Sequence, residues 1–205
     1  MKAKNPSFRT RRQWLGMALG AGLVPLLPAC SQKPAFNGID ITGADYAKDF
    51  SLPDQNGQVR TMADFKGKAV VVFFGYTQCP DYCPTAMVAM AEAKSLLGED
   101  SARVQGIFVS VDPERDTPQV LKEYMDSFDP EFVALRPTLE ELPGLAKHFR
   151  VYYNKVEGKT PTSYTMDHSV GSYVYDPQGR LRLFHRHGNE PAAMAEDIKL
   201  LLAGN

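Results

Sequence analysis

Two short apolar runs constrain the fold of this chain more than anything else in it. They are Ala69–Phe74 (AVVVFF) and Val104–Val111 (VQGIFVSV). Uncharged and β-branched runs of this length mark strands buried on both faces, as in a parallel sheet covered by helices on each side. The segment between them supplies a covering helix. Pro84 to Leu97 is rich in Ala, Met and other good helix formers, and Gly98 ends it. The three pieces predict a β-α-β unit, with the right-handed crossover such units adopt.

The flanking sequence extends this unit. Phe50 to Met62 holds Asn56-Gly57 between extended stretches, a strong hairpin signal. Thr117-Pro118 places a capping residue before a proline at the first helical position, which opens a helix to about Phe128. Phe132 to Leu135 reads as a short strand. Thr138 and Glu141 fit a capping box for a third helix running to about Phe149, with Pro143 placed to kink or delay it. Val170–Tyr175 and Arg180–Arg186 flank Asp176-Pro177-Gln178-Gly179 and predict an antiparallel hairpin, and Ala192–Leu202 a closing amphipathic helix. A β-α-β half followed by a β-β-α half is the arrangement of a thioredoxin-like fold. The expected class is therefore α/β, with an N-terminal β-hairpin and a central mixed sheet flanked by helices.

Composition sets the limits of function. At 205 residues, 43% hydrophobic and 23% charged, the chain suits one globular domain with a tail, not a disordered segment. With only three cysteines it is no disulfide-stapled miniprotein. The net charge of −1 argues against nucleic acid as a partner. That total hides an asymmetry. Residues 1–13 hold five of the 23 basic residues and none of the 24 acids, which leaves the rest of the chain at −6. Residues 14–29 are uncharged, and a basic start followed by an apolar run is the pattern of a secretory signal peptide. The run ends in Leu27-Pro28-Ala29-Cys30, which resembles a lipoprotein signal and makes Cys30 a lipidation candidate. Thr10-Arg11-Arg12-Gln13-Trp14-Leu15 resembles a twin-arginine export signal. An uncleaved anchor over 14–29 is the alternative. Each reading puts the folded part outside the cytoplasm, on the periplasmic side of a bacterial membrane. The expected organisation is a signal peptide over 1–29, a polar tether over 30–45 and one domain over 46–205.

The remaining two cysteines lie in Gly75-Tyr76-Thr77-Gln78-Cys79-Pro80-Asp81-Tyr82-Cys83-Pro84. This turn leads from the first buried strand into the helix, at the carboxyl edge of the sheet where open α/β sheets place their sites. With Pro84 as first helical residue, Cys83 would sit near the helix N-terminus, whose partial positive charge favours thiolate. A thiolate is both a disulfide-exchange nucleophile and a soft metal ligand. The pair can form a reversible disulfide, clamp one metal ion, or be a plain structural bridge. A metal needs a third ligand. Among the four histidines, His148 reads as solvated on a helix, and His185 and His187 as solvated at a strand end. His168, in Met166-Asp167-His168-Ser169 before the last hairpin, is the candidate ligand, with Asp167 as a group that could orient it or adjust the charge of the site, a simple turn role being the alternative. Two thiolates and an imidazole suit Cu(I), accept Cu(II) with a further ligand, and are compatible with zinc. Met87 and Met90 read as core filler.

The chain resembles the Sco/SenC family of copper-binding thioredoxin-like proteins. The resemblance runs from Phe36–Asp45 through Asp49-Phe50-Ser51-Leu52, the cysteine segment, Ser110–Pro118 and Asp167-His168-Ser169. Gln78 departs from it, since many members have histidine there; that position is not one of the family's ligands. The resemblance implies one copper ion per chain on Cys79, Cys83 and His168. It also implies a metallochaperone role in assembling the copper centre of a respiratory cytochrome c oxidase. The partners so implied are the oxidase copper subunit and other periplasmic copper chaperones or thiol reductases. The alternative activity is a thiol–disulfide oxidoreductase, in which Cys79 and Cys83 reduce the cysteine pair of the oxidase site.

Overall fold

A computed structural model describes residues 35–160 and 163–205; the expected signal peptide and Cys30 lie outside them. The central sheet has six strands in the order β1-β10-β9-β4-β5-β6. These are β1 (Ile39–Asp40), β4 (Ala69–Gly75), β5 (Val104–Ser110), β6 (Val133–Leu135), β9 (Gly171–Tyr175) and β10 (Leu181–Arg186). The neighbours β4, β5 and β6 run parallel, while β9 is antiparallel to β4 and to β10, and β10 to β1. Every residue of β4 and β5 is buried, as their uncharged and largely apolar character requires.

Among the described residues four α-helices flank the sheet: α1 (Tyr82–Ser95), α2 (Pro118–Asp126), α3 (Leu142–Phe149) and α4 (Pro191–Leu202). The first and last pack against each other. None of the helices among the described residues is long and apolar enough to cross a membrane. Two ribbons stand apart from the main sheet: β2 (Ser51–Pro53) with β3 (Val59–Thr61), and β7 (Tyr153–Val156) with β8 (Thr165–His168). The first is the expected hairpin, with Gly57 at φ 79° in its turn, where a side chain would be strained.

Several boundaries differ from expectation for identifiable reasons. Residues 38–45, read as tether, belong to the fold. Ile39 and Asp40 pair with Phe184 and Leu183, and Phe36, Ile41 and Ala44 pack on the core. The amides of Asn37 and Gly38 donate to the buried Asp197 carboxylate of α4 at 2.8 and 2.7 Å. Helix α1 begins at Tyr82, so Pro84 is its third residue, not its first. Both bonds of the Thr138–Glu141 capping box form, at 2.8 and 3.2 Å. They close a turn that precedes α3, because Pro143 sits in the first turn of a helix that starts only at Leu142.

Candidate metal centre

The site begins where β4 ends. Gly75 is close-packed: a Cβ there would lie 2.8 Å from the Phe73 ring and 2.9 Å from Cys83 Sγ. The loop that follows is pinned to the β5–α2 connection. Thr77 donates to Asp116 Oδ1 from its amide at 3.2 Å and its hydroxyl at 2.6 Å, and the Ser110 hydroxyl donates to Oδ2 at 2.6 Å. Asp116 is fully buried, so these donors do the work that water would do for an exposed carboxylate. Burial still dominates and raises its pKa, against the hydrogen bonds.

Both thiols are free. Cys79 is half-buried, and Cys83 is wholly buried as the second residue of α1. The Cys83 amide donates to Cys79 Sγ at 3.4 Å, which draws the two together. The expectation of a Cys83 thiolate is not met in the metal-free chain. Burial pushes this thiol far above its ordinary range, and the neighbouring Cys79 adds to the rise. Desolvation outweighs the helix-end charge here because the sulfur faces the core.

His168 is the last residue of β8, paired in register with Tyr153. Its Nε2 lies 3.4 Å from Cys83 Sγ. Its Nδ1 is 2.9 Å from the Ser169 carbonyl oxygen, to which a protonated Nδ1 donates. That bond fixes the tautomer and leaves the Nε2 lone pair facing the sulfurs, the role of a carbonyl behind a ligating imidazole. The rings of Tyr76 and Phe73 stand edge-on to it at 5.8 and 6.1 Å. Burial lowers its pKa, favouring the neutral, ligating form. The ligand atoms of Cys79, Cys83 and His168 all fall within 4.8 Å of one another. A groove of about 470 Å³, walled by Tyr76, Pro80, Tyr82 and Tyr152, opens onto Cys79 and His168.

The other candidates fare differently. Asp167 is exposed and acts on His168 through charge, raising its proton affinity; the orienting hydrogen bond goes to Ser169 instead. His148 is exposed, as expected, and its Nε2 accepts the Lys48 amide at 3.1 Å. His185, read as solvated, is buried, with Nε2 2.9 Å from Asp197 Oδ2. His187 lies beyond β10 and meets the Tyr82 ring edge-on, with centroids 5.1 Å apart. Met87 and Met90 are core. Sequence reasoning gave no role to Arg115 and Tyr164, which lie between the cysteine loop and the β7–β8 ribbon. Arg115 stood only as part of the Ser110–Pro118 match, and Tyr164 had no signal.

A thioredoxin-like sheet with a dithiol and an imidazole gathered at the end of its first central strand defines a thiol-based metal-binding protein. The chain belongs to the SCO1/SenC family, whose model matches residues 40–203. It is 32% identical over 190 residues to an SCO2-like protein of Rickettsia felis, covering 90% of this chain and 93% of that one. Among solved structures it resembles ScoI of Bradyrhizobium japonicum with copper bound, at 41% identity and TM-score 0.68, covering 75% of this chain and 97% of that one. It also resembles apo Sco1 of Thermus thermophilus, at 35% identity and TM-score 0.70, covering 82% and 96%.

Proposed function

We propose that this chain binds one copper ion through Cys79, Cys83 and His168, and serves as a metallochaperone for the copper centre of a respiratory cytochrome c oxidase. The observation that carries the reading is the convergence of two sulfurs and an imidazole nitrogen within 4.8 Å. The donor set is soft and small in number, which favours Cu(I); a further ligand or water would let the site hold Cu(II). Binding requires Cys83 to give up its proton, and the positive ion supplies the charge that burial withholds. Copper is cargo here, and the groove beside Cys79 and His168 is the side from which an acceptor's ligands can reach it.

The dithiol also supports thiol–disulfide exchange, favoured by one observation: Cys79 is half-buried beside the groove while Cys83 lies fully buried behind it. Cys79 would attack a partner's disulfide, and Cys83 would then displace the partner's thiol. Two electrons and two protons pass to the partner, and a Cys79–Cys83 disulfide remains. That disulfide no longer offers thiolates, so oxidation releases the metal. For the N-terminal segment we propose export by a lipoprotein-type signal over residues 1–29. Lipidation of Cys30 would hold the domain on the extracytoplasmic face of a bacterial membrane. Mass spectrometry of the membrane-extracted protein then reads an acylated Cys30 as the first residue, and an unmodified terminus elsewhere overturns it.

Competition with a Cu(I) chelator tests the site. Wild type takes up one copper per chain, and His168→Ala weakens binding by at least about tenfold, the scale on which even outer partners of a metal site count. With Cu(II), a thiolate-to-copper charge-transfer band appears and is lost in Cys79→Ser. Equal affinity in wild type and His168→Ala removes the histidine from the site. Mixing the copper-loaded protein with the apo copper domain of an oxidase separates copper transfer from thiol reduction, by following where copper and thiols go.

A further inference from the structure

The sulfurs and the imidazole stand on separately hydrogen-bonded bodies. Cys79 and Cys83 follow β4 of the six-stranded sheet, whereas His168 ends a two-stranded ribbon that shares no ladder with it. Two residues, Ser169 and Val170, join His168 to β9, which pairs with β4; side-chain contacts complete the setting of the imidazole against the sulfurs. One connection grips both: residues 112–116, between β5 and α2. On the cysteine side, Asp116 takes the Thr77 donors at 2.6 and 3.2 Å, and Arg115 Nη1 donates to Gln78 Oε1 at 3.2 Å. On the ribbon side, the same Nη1 donates to the Tyr164 carbonyl at 2.8 Å, one residue before β8. The guanidinium carbon lies 3.6 Å from the Tyr164 ring centroid and 5.6 Å from that of Tyr76. Arg115 Nε is bonded to Asp112, whose other oxygen accepts the Tyr164 hydroxyl at 2.7 Å. Lys155 of β7 adds an ion pair to Glu114 at 2.8 Å.

Arg115 thus touches the loop before Cys79, the residue before β8, and the carboxylate that holds Tyr164. Its remaining nitrogen, Nη2, is buried. We propose that Arg115 is a positioning residue of the metal centre: it braces the cysteine loop against the β7–β8 ribbon and so sets His168 Nε2 against the two sulfurs. This rests on the three-ligand reading above. It also gives Gln78 a use, as the point where the brace meets the cysteine loop. A lysine cannot replace the guanidinium, because one ammonium does not reproduce a planar fork that also stacks on an aromatic ring.

A double-mutant cycle on Cu(I) affinity tests this, with wild type, Arg115→Met, His168→Ala and the double variant. Arg115→Met weakens copper by roughly 10–100-fold, as loss of an outer-shell partner does. In the His168→Ala background the same change costs less than about twofold, because two residues acting through one contact are not additive. Arg115→Lys behaves as Arg115→Met does. In the metal-free protein, amide exchange of Arg115→Met accelerates across Tyr153–Val156 and Thr165–His168 and stays unchanged in β4 and β5. If Arg115→Met does not fold, Arg115→Lys and Gln78→Ala carry the same cycle. Equal loss of affinity with and without His168, or faster exchange throughout the sheet, overturns the proposal while leaving the copper site standing. Equal copper affinity in wild type and His168→Ala overturns both.

Discussion

Gly75 shows how little room the site leaves. A methyl group there would meet Phe73, Cys83 Sγ and Phe108, each at 2.8–2.9 Å. Gly75→Ala should therefore destabilise the fold by about 1–3 kcal/mol, the usual range for overpacking. It should also shift the Cu(II) charge-transfer band, because one of the displaced atoms is a proposed ligand; urea unfolding and an absorption spectrum check both effects. Asp116 carries a different kind of constraint. Its pKa is raised by burial, so its contribution to stability is fullest below the unfolded value of 3.8 and is lost as pH rises through the folded value. Asparagine fits the same donors: its oxygen can accept from Thr77 and its amide can donate to the Ser110 hydroxyl. Asp116→Asn should then gain stability relative to wild type as pH is raised from about 4 to about 7. Urea midpoints across that range measure it, and a falling difference would show that the ionised carboxylate is the preferred partner.

Among the elements, the clamp of α4 on the N-terminal edge is the most exposed to pH. Asp197 receives the amides of Asn37 and Gly38, with His185 of β10 beside it. Burial depresses the pKa of His185 below 6.5. A histidine held neutral in the fold contributes stability above its unfolded pKa and loses it as pH falls through the folded value, since the unfolded chain takes up the proton first. Stability should decline below about pH 6.5, and less steeply in His185→Gln. The elements also mark what could be read in advance. β4, β5, α1 and α2 were legible because buried runs and capping residues are local signals. The β7–β8 ribbon was not, since Tyr-Asn-Lys-Val and Thr-Met-Asp-His carry no apolar pattern and hold their shape through tertiary contacts. The dithiol was visible by spacing and His168 by its place before the hairpin. The Ser169 carbonyl behind it was not, because any residue supplies a carbonyl. His185 was misjudged because its charged neighbours conceal an alternation that turns its side chain inward.

For the whole molecule, the core decides how the fold depends on its metal. β4 and β5 are fully buried, and the core extends through α1, α2, α3 and α4. No part of that packing needs an ion, so chelation should leave the far-UV circular dichroism of the protein unchanged. Copper should raise the melting temperature by linkage, with about 4 kcal/mol added at a thousandfold excess over the dissociation constant. Loss of helical signal on chelation would contradict this. The single tryptophan is Trp14, so a truncated protein lacking residues 1–29 would report binding through its tyrosines. The distance along the chain between the proposed ligands has a consequence of its own. Cys83 and His168 are 85 residues apart, so a chain made from its N-terminus shows both thiols long before the imidazole exists. Until β7 and β8 are complete, a metal ion meets only a pair of sulfurs, equally open to any oxidant. Capture by all three proposed ligands is thus acquired late in synthesis, and a fragment ending before residue 168 should behave as an ordinary dithiol.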